Sequence, residues 1–554
     1  MATNEEIQQG ISELSIKIDD YYDFVQKIYK GNSDILSGTQ KDVLLLDGTA
    51  LPNLKKALAL FEVDKTNAVA LLEQVVENFG LEKQDLLNSL NQIINQFEID
   101  KNNALESLNQ TELSKLTADV REVEKLTYTS KRVLDIGVPG KPGFGLGDPS
   151  YVPDGWVRKM TANYIDKSGS WMCFLPISKI RIGHEASPQY ATYGANTIEI
   201  QSLSAEEKAL YIGKAFTSNN DYLLSDGFMI PTCFVDGGVF IEGNWFDKYK
   251  GGYEAGILKS KKGIQPIHCH TDGQYGPMFS QIVVDGVAAT NRLDGAYKVV
   301  KSRGQDYAVP GNDTYSYLNL LVICQSQNAT SSAEVAWMDK APFLPKGNNN
   351  SLRDFDDDSV KYAQATGTNA GKSTTAATEN FEKTTHDGSI LGIADLNGGM
   401  YEIASGFTRT TALGFLTIKK SIFLKDLTAD SAFNVDNFNP LNVGNVITGN
   451  TEWISLGNGA NAVYDNDIAS INKIFNGIPK ADGVSANGTN AFGKDGLYRY
   501  LAHEMVPLRS GSWNATFRAG PGCLNLNNVR SNSDNTLGVR ALRCQHAMTQ
   551  DSES

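Results

Sequence analysis

The sequence predicts an α+β fold: an N-terminal α-helical coiled-coil stalk followed by a loop-rich C-terminal head. Two observations carry this. Residues 54–126 space their apolar side chains in alternating steps of four and three, the seam of a coiled coil. From about Val133 the texture changes to Gly- and Pro-dense turns between short apolar runs, which cannot continue a helix.

At the N-terminus, residues from about Glu5 to Tyr29 form a short amphipathic pattern, followed by a polar loop and a strand-like VLLLDGT. Gly48 permits a turn there and Pro52 suits a helix start. The seam then reads Leu54, Leu58, Phe61, Lys65, Ala68, Leu72, Val75, Phe79. After a slip near Gly80 it resumes as Leu86, Leu90, Ile93, Phe97, Lys101, Ala104, Leu108, and after a second break as Leu116, Val120, Val123. At ~1.5 Å per residue such a helix reaches on the order of 110 Å. A helical bundle folded back at Gly80 is the alternative, and the lack of a Pro/Gly/Asn turn cluster favours the extended form.

The 554 residues are too many for one core. The expected organisation is an attachment segment (1–50), a stalk (51–132), a β-rich neck (133–220) and a head (221–546). Helical periodicity in the last two is confined to stretches near 204–214 and 315–324. Hydrophobic residues at 41% and charged ones at 21% describe an ordinary folded chain. No apolar run is long enough to span a bilayer, and MATNEEIQQGISEL lacks the basic-then-apolar pattern of a signal peptide. A net charge of -14 opposes binding to phosphate backbones. Six scattered cysteines without a CxxC pair predict buried thiols made in a reducing cytoplasm.

Weaker motifs resolve against chemistry. GTNAGKST at 367–374 has three residues between its glycines where a phosphate loop needs four. His268 and His270 flank Cys269 and offer at most two ligands on one strand face. Asp354, Asp356 and Asp358 lack the Gly and Glu of a calcium loop. No G-x-S-x-G or paired-carboxylate arrangement stands out, so no catalytic residue, metal or cofactor is predicted.

The C-terminus is the informative region: LRSGSWNATFRAGPGCLNLNN at 508–528, then SNSDNTLGVR at 531–540. With FMIPTCFVDGG (228–238), WFDKY (245–249), FLPKGNNN (343–350), His386-Asp387-Gly388, IADLNGGMYE (393–402), PKADGV (479–484) and FGKDGLY (492–498), it resembles the C-type-lectin fold in its formylglycine-generating-enzyme-like branch. That branch reads R-G-G-S-W, A-G and I/L-G-F/V-R near its end and D-L-N-G-N-M-W-E in its core. Gly399 and Tyr401 depart from that core, where Asn and Trp are usual. The resemblance covers most of 220–545 and is strongest toward phage tail-fibre heads, including those diversified by retroelements.

That resemblance implies an adhesin, not an enzyme, located in the virion and made in the host cytoplasm. Its partners would be a host surface receptor (a glycan or an outer-membrane protein), tail or baseplate proteins at the N-terminus, and two further copies of itself. It also implies a hypervariable ligand face. The residues expected there are Asn514, Thr516, Phe517, Arg518, Gly522, Cys523, Asn525, Asn527 and Asn532. Phe517 and Arg518 are anchor types, and the asparagines present paired donors and acceptors suited to hydroxyls. A Cys523 on that face would be a partly exposed thiol, while Trp513 and Arg540 are assigned to the scaffold. A tail collar or connector without host contact remains an alternative, as does an oxidase using Cys523 and Cys544. The heptads imply an oligomer and the resemblance a parallel homotrimer, so light scattering of the full chain should give three times the 60.3 kDa protomer mass, and a monomer would defeat the stalk.

Overall fold

The structure, a computed structural model, describes residues 132–330, 351–354, 357–367, 372–447, 451–457, 461–485, 495–515 and 518–547, together with two short strands nearer the N-terminus. Those strands, Val43–Leu44 and Ala50–Leu51, pair antiparallel, so the strand-like character read at VLLL is present. The heptad stretch lies outside the described residues. The chain divides into two units, Met1–Leu126 and Thr127–Ser554.

Strands and turns dominate the second unit. Its two main sheets are built from β1 (Val157–Met160), β2 (Asn163–Ile165), β3 (Trp171–Pro176), β4 (Gly243–Asp247), β5 (Tyr401–Ile403), β6 (Glu452–Leu456), β7 (Val484–Ser485), β8 (Gly496–Arg499), β9 (Met505–Arg509), β10 (Leu524–Val529), β11 (Leu537–Gly538) and β12 (Leu542–Gln545). One sheet runs β12-β4-β3-β2-β1, and the other runs β7-β6-β8-β10-β9-β5-β11.

The expected neck at 133–220 is not a separate piece. The run WMCFLP makes an apolar strand that needs a partner on each edge. It takes β2 on one side and β4 on the other, and β4 in turn pairs with β12 near the C-terminus. Ile136, Phe144, Ile180 and Ile200 share one core cluster with Leu321 and Leu542. Hydrophobic burial joins both sides of the break drawn near residue 220, as the first part of a head would require.

At the centre is helix α1 (Asn312–Asn328), whose capping residue Gly311 is extended. Helix α1 is buried along nearly its whole length, polar positions included. Its polar side chains face inward with partners. Gln325 accepts from the Gly140 amide at 2.8 Å and donates to the Lys141 and Asp387 carbonyls at 3.0 Å. Gln327 accepts from Ile198 N at 2.8 Å and donates to Asn196 O at 2.9 Å. Loops that lack secondary-structure partners are thus satisfied by helix side chains. The other predicted helical stretch is Ala205–Tyr211, capped by Ser204 and Glu207 in a reciprocal capping box.

Two buried ion networks fasten the sheets. Arg540, with no exposed surface, donates to Glu402 Oε2 at 2.8 Å and Oε1 at 3.0 Å, and to the carbonyls of Asp247, Lys248 and Ala394. Glu402 also accepts from Lys250 and, at 2.6 Å, from the Tyr315 hydroxyl of α1. Burial pushes the Glu402 carboxyl upward, but Arg540 and Lys250 outweigh it and hold it below the usual range. In the second network Arg303 lies between Asp166 and Asp247, and the Tyr307 hydroxyl adds a 2.6 Å bond to Asp166. Trp245 anchors an aromatic cluster with Trp156, Tyr164 and Phe174, its ring N–H donating to Gln545 at 2.6 Å.

Asp166 makes acid stability measurable. Burial raises its pKa, yet Arg303 and bonds from Ser168 and Tyr307 prevail and set it at about 2, below its ordinary 3.8. A depressed carboxylate contributes stability above its unfolded value and loses it as pH falls through the folded one. A loss of about 2 kcal/mol between pH 4 and pH 2 is expected in chemical denaturation, and Asp166→Asn should flatten that limb.

Candidate functional site

The C-terminal segment divides between scaffold and surface. Trp513 and Arg540 are both buried, as scaffold residues should be. Of the nine residues read as a ligand face, Asn514 and Asn527 are exposed, and Arg518 and Asn532 are half-buried. Thr516 and Phe517 lie outside the described residues.

Three expectations are corrected in burial. Gly522, Cys523 and Asn525 are buried, and Cys523 is 0% exposed. The reason is strand placement: β10 is interior to its sheet, parallel to β8 on one side and antiparallel to β9 on the other. Cys523, just before β10, packs in a cluster with Leu508, Ile403 and Val506. Gly522 N–H donates to Asp495 Oδ2 at 2.8 Å, and a Cβ at Gly522 would approach that carboxylate to 3.0 Å. A Gly- and Asn-rich run reads as loop in the sequence, but its first half is a central strand.

Side-chain alternation along β10 assigns the rest. Leu524 and Leu526 point into a cluster with Ile454 and Leu497, so Asn525 and Asn527 take the opposite face. The Asn525 amide oxygen accepts from the Asn527 backbone at 2.9 Å, and its side chain hydrogen-bonds Tyr401. Burial raises the Tyr401 phenol well above its ordinary range, so it stays protonated. Asn528 links Asn527 to Asn532, which it meets at 2.9 Å. Asn514 accepts from the Ser512 hydroxyl at 2.6 Å.

The sheet adds two residues that the sequence reading missed. Trp453 on β6 stands opposite Tyr498 on β8, and Tyr498 stands opposite Asn525 on β10. The row thus runs Trp453, Tyr498, Asn525 across three strands. Both aromatics are half-buried, with ring centroids 5.1 Å apart at 62°. The Arg518 guanidinium lies 5.1 Å from the Trp453 ring centre. Gly496 makes this possible, because a Cβ there would meet the Trp453 ring at 2.7 Å and the Arg518 stem at 3.2 Å. A signal existed: Trp453 and Ser455 alternate with Ile454 and Leu456. Alternation gives the face, not which strands neighbour it.

Other candidates disperse. The His268 ring contacts Gly276 O at 3.2 Å and accepts from the His270 amide at 3.1 Å, engaging both nitrogens. Burial depresses its pKa to about 3, so it is neutral at ordinary pH. Asp354 is buried, Asp358 is exposed, and Asp356 lies outside the described residues. Lys372 is buried with its ammonium donating to Tyr275 O at 2.5 Å. Among the described residues no group of three or more His, Cys, Asp or Glu is placed to hold a metal.

The assembled face offers aromatic rings, a guanidinium and amides, the chemistry of recognition by stacking and hydrogen bonding. No protein-family model matches the chain, and no curated protein does. Solved structures that do match include the Major Tropism Determinant U1 Variant, at 15% identity over 76% of this chain and 74% of that one, TM-score 0.24. The M1 Variant matches at 14% identity with the same coverage and a TM-score of 0.25. The burial of Cys523 is directly testable: iodoacetamide should leave it unmodified in the native protein and label it only on unfolding, read by peptide mass mapping.

Proposed function

We propose that this chain is the receptor-binding protein of a phage tail fibre, attaching the virion to a host cell surface through the C-terminal face of its head. The observation that supports this most is Arg518 stacked on Trp453 beside Tyr498, at the end of the row leading to Asn525 and Asn527. Trp, Tyr and Arg, half-buried and touching, are the residue types that dominate binding energy at interfaces. Asn514, Asn527 and Asn532 border them with amides able to meet hydroxyls or backbone. Thr516 and Phe517 belong to the same proposal by their position in the chain. Buried Gly522, Cys523 and Asn525 act beneath the surface, holding it in place.

The heptads at 54–126 and the resemblance of 220–545 to fibre heads supply the setting. Residues 1–50 attach to the tail, the stalk brings three heads together, and avidity multiplies weak contacts. The receptor is a glycan or an outer-membrane protein. An oxidase would need Cys523 and Cys544 as a pair, whereas Cys523 precedes β10 of the seven-stranded sheet and Cys544 lies in β12 of the five-stranded one.

Purified protein should bind host cells and compete with phage for adsorption. Tyr498→Ala with Arg518→Ala should weaken binding by at least about 30-fold, on the order of 2 kcal/mol, with a melting temperature close to wild type. Undiminished phage adsorption in excess protein would overturn the reading. Virions that need the chain for assembly but bind cells without it would make it a connector.

A further inference from the structure

A second recognition site is built on the five-stranded sheet, apart from every residue of the C-terminal face. A cleft of about 450 Å3 lies between residues 151–156, Lys167, the loop 303–307 and Arg543 of β12. We propose that it binds the ring of a neutral sugar within a glycan.

The first ground is an aromatic wall. Trp245 and Arg543 are direct neighbours on adjoining strands, so their side chains rise from the same face of the sheet. Trp156 covers both, 4.7 Å from the Trp245 ring centre and 5.6 Å from the Arg543 guanidinium. Half-buried Trp156 lines the cleft together with Arg543. Tyr151 lines the same space. Aromatic surfaces take up the C–H faces of sugar rings, burying apolar area while the hydroxyls point sideways.

The second ground is the set of groups placed for those hydroxyls. Asp154, Gln305 and Asp306 are exposed along the cleft and accept hydrogen bonds, while Lys167 and Arg543 donate. Among the described residues Arg543 has one ion partner, Asp306 at 3.5 Å, and its buried Nη1 has no hydrogen-bond partner. The remaining cation, Arg303, is committed to Asp166 and Asp247. Two carboxylates then face two cations. This balance favours a neutral polyhydroxylated ligand over a phosphate or an acidic sugar, which Asp154 and Asp306 would repel.

The third ground is preorganisation. Tyr151 is tied at both ends, its hydroxyl donating to His546 O at 3.1 Å and its carbonyl accepting from Gln545 at 3.0 Å. Tyr307 is held through its hydroxyl by Asp166. Lys167 lies across Gly155, where a Cβ would come within 2.7 Å of its stem, and Gly155 has φ +74°. Walls fixed by core hydrogen bonds lose little entropy when a ligand enters.

Saturation-transfer NMR on the full chain tests this with methyl glucoside, methyl galactoside, methyl mannoside and N-acetylglucosamine, each at about 10 mM to reach a Kd near 1 mM. At least one sugar should give transfer. Asp154→Ala with Asp306→Ala should weaken it at least 10-fold at an unchanged melting temperature, and Arg518→Ala should leave it intact. Gln305→Ala, on the exposed loop, repeats the test if the double variant fails to fold. Absence of transfer from all four sugars overturns the proposal, as does transfer that survives the cleft variants. Transfer lost in Arg518→Ala but kept in the cleft variants would move sugar binding to the C-terminal face and equally overturn it.

Discussion

Glu402 is the constraint on which the head depends. Its carboxylate accepts from Arg540 twice, from Lys250 and from Tyr315, so one side chain of β5 gathers the C-terminal segment, the residues after β4 and helix α1. A carboxylate buried without partners would cost several kcal/mol, and losing one member of a buried ion pair typically costs about 3–5 kcal/mol. The network therefore acts more as a specification than as a source of net stability. Only when all four pieces meet are the charges satisfied. Arg540 extends this by bonding three backbone carbonyls, at Asp247, Lys248 and Ala394.

A head with so little regular structure must satisfy many loop amides and carbonyls without ladders. Helix α1 supplies part of the answer by turning Gln325 and Gln327 into bridges to distant loops. Arg303 does the same between Asp166, before β3, and Asp247 at the end of β4. These internal bonds free the outer faces from structural duty. The two proposed recognition surfaces lie on such faces: the row on β6, β8 and β10 stands on one sheet, and the cleft beside Trp156 stands on the other.

The candidate face shows where local reading stops. Asn514, Arg518 and Asn527 reach the surface as their polarity suggests, but Cys523 and Asn525 are buried in an Asn-rich run of similar appearance. Polarity and turn residues describe a segment's own preferences. Burial of Asn525 depends on β8 and β9 flanking its strand and on Tyr401 reaching its side chain. Trp453 escaped notice for the same reason, lying far from Arg518 in the chain yet 5.1 Å from it in space.

The sequence by itself determined what local spacing can encode. It set the short apolar runs of the head, the helical stretches near 204–214 and 315–324, and the heptad spacing of 54–126, while the scaffold roles of Trp513 and Arg540 followed from the motif resemblance. Periodicity and turn chemistry act over a few residues and leave a direct trace. Only the tertiary structure decided that residues 133–220 belong to the head, that Cys523 is core, and that Trp453, Tyr498 and Arg518 form one face. Sheet order and register join strands up to hundreds of residues apart, and no local pattern records which strand will lie beside which.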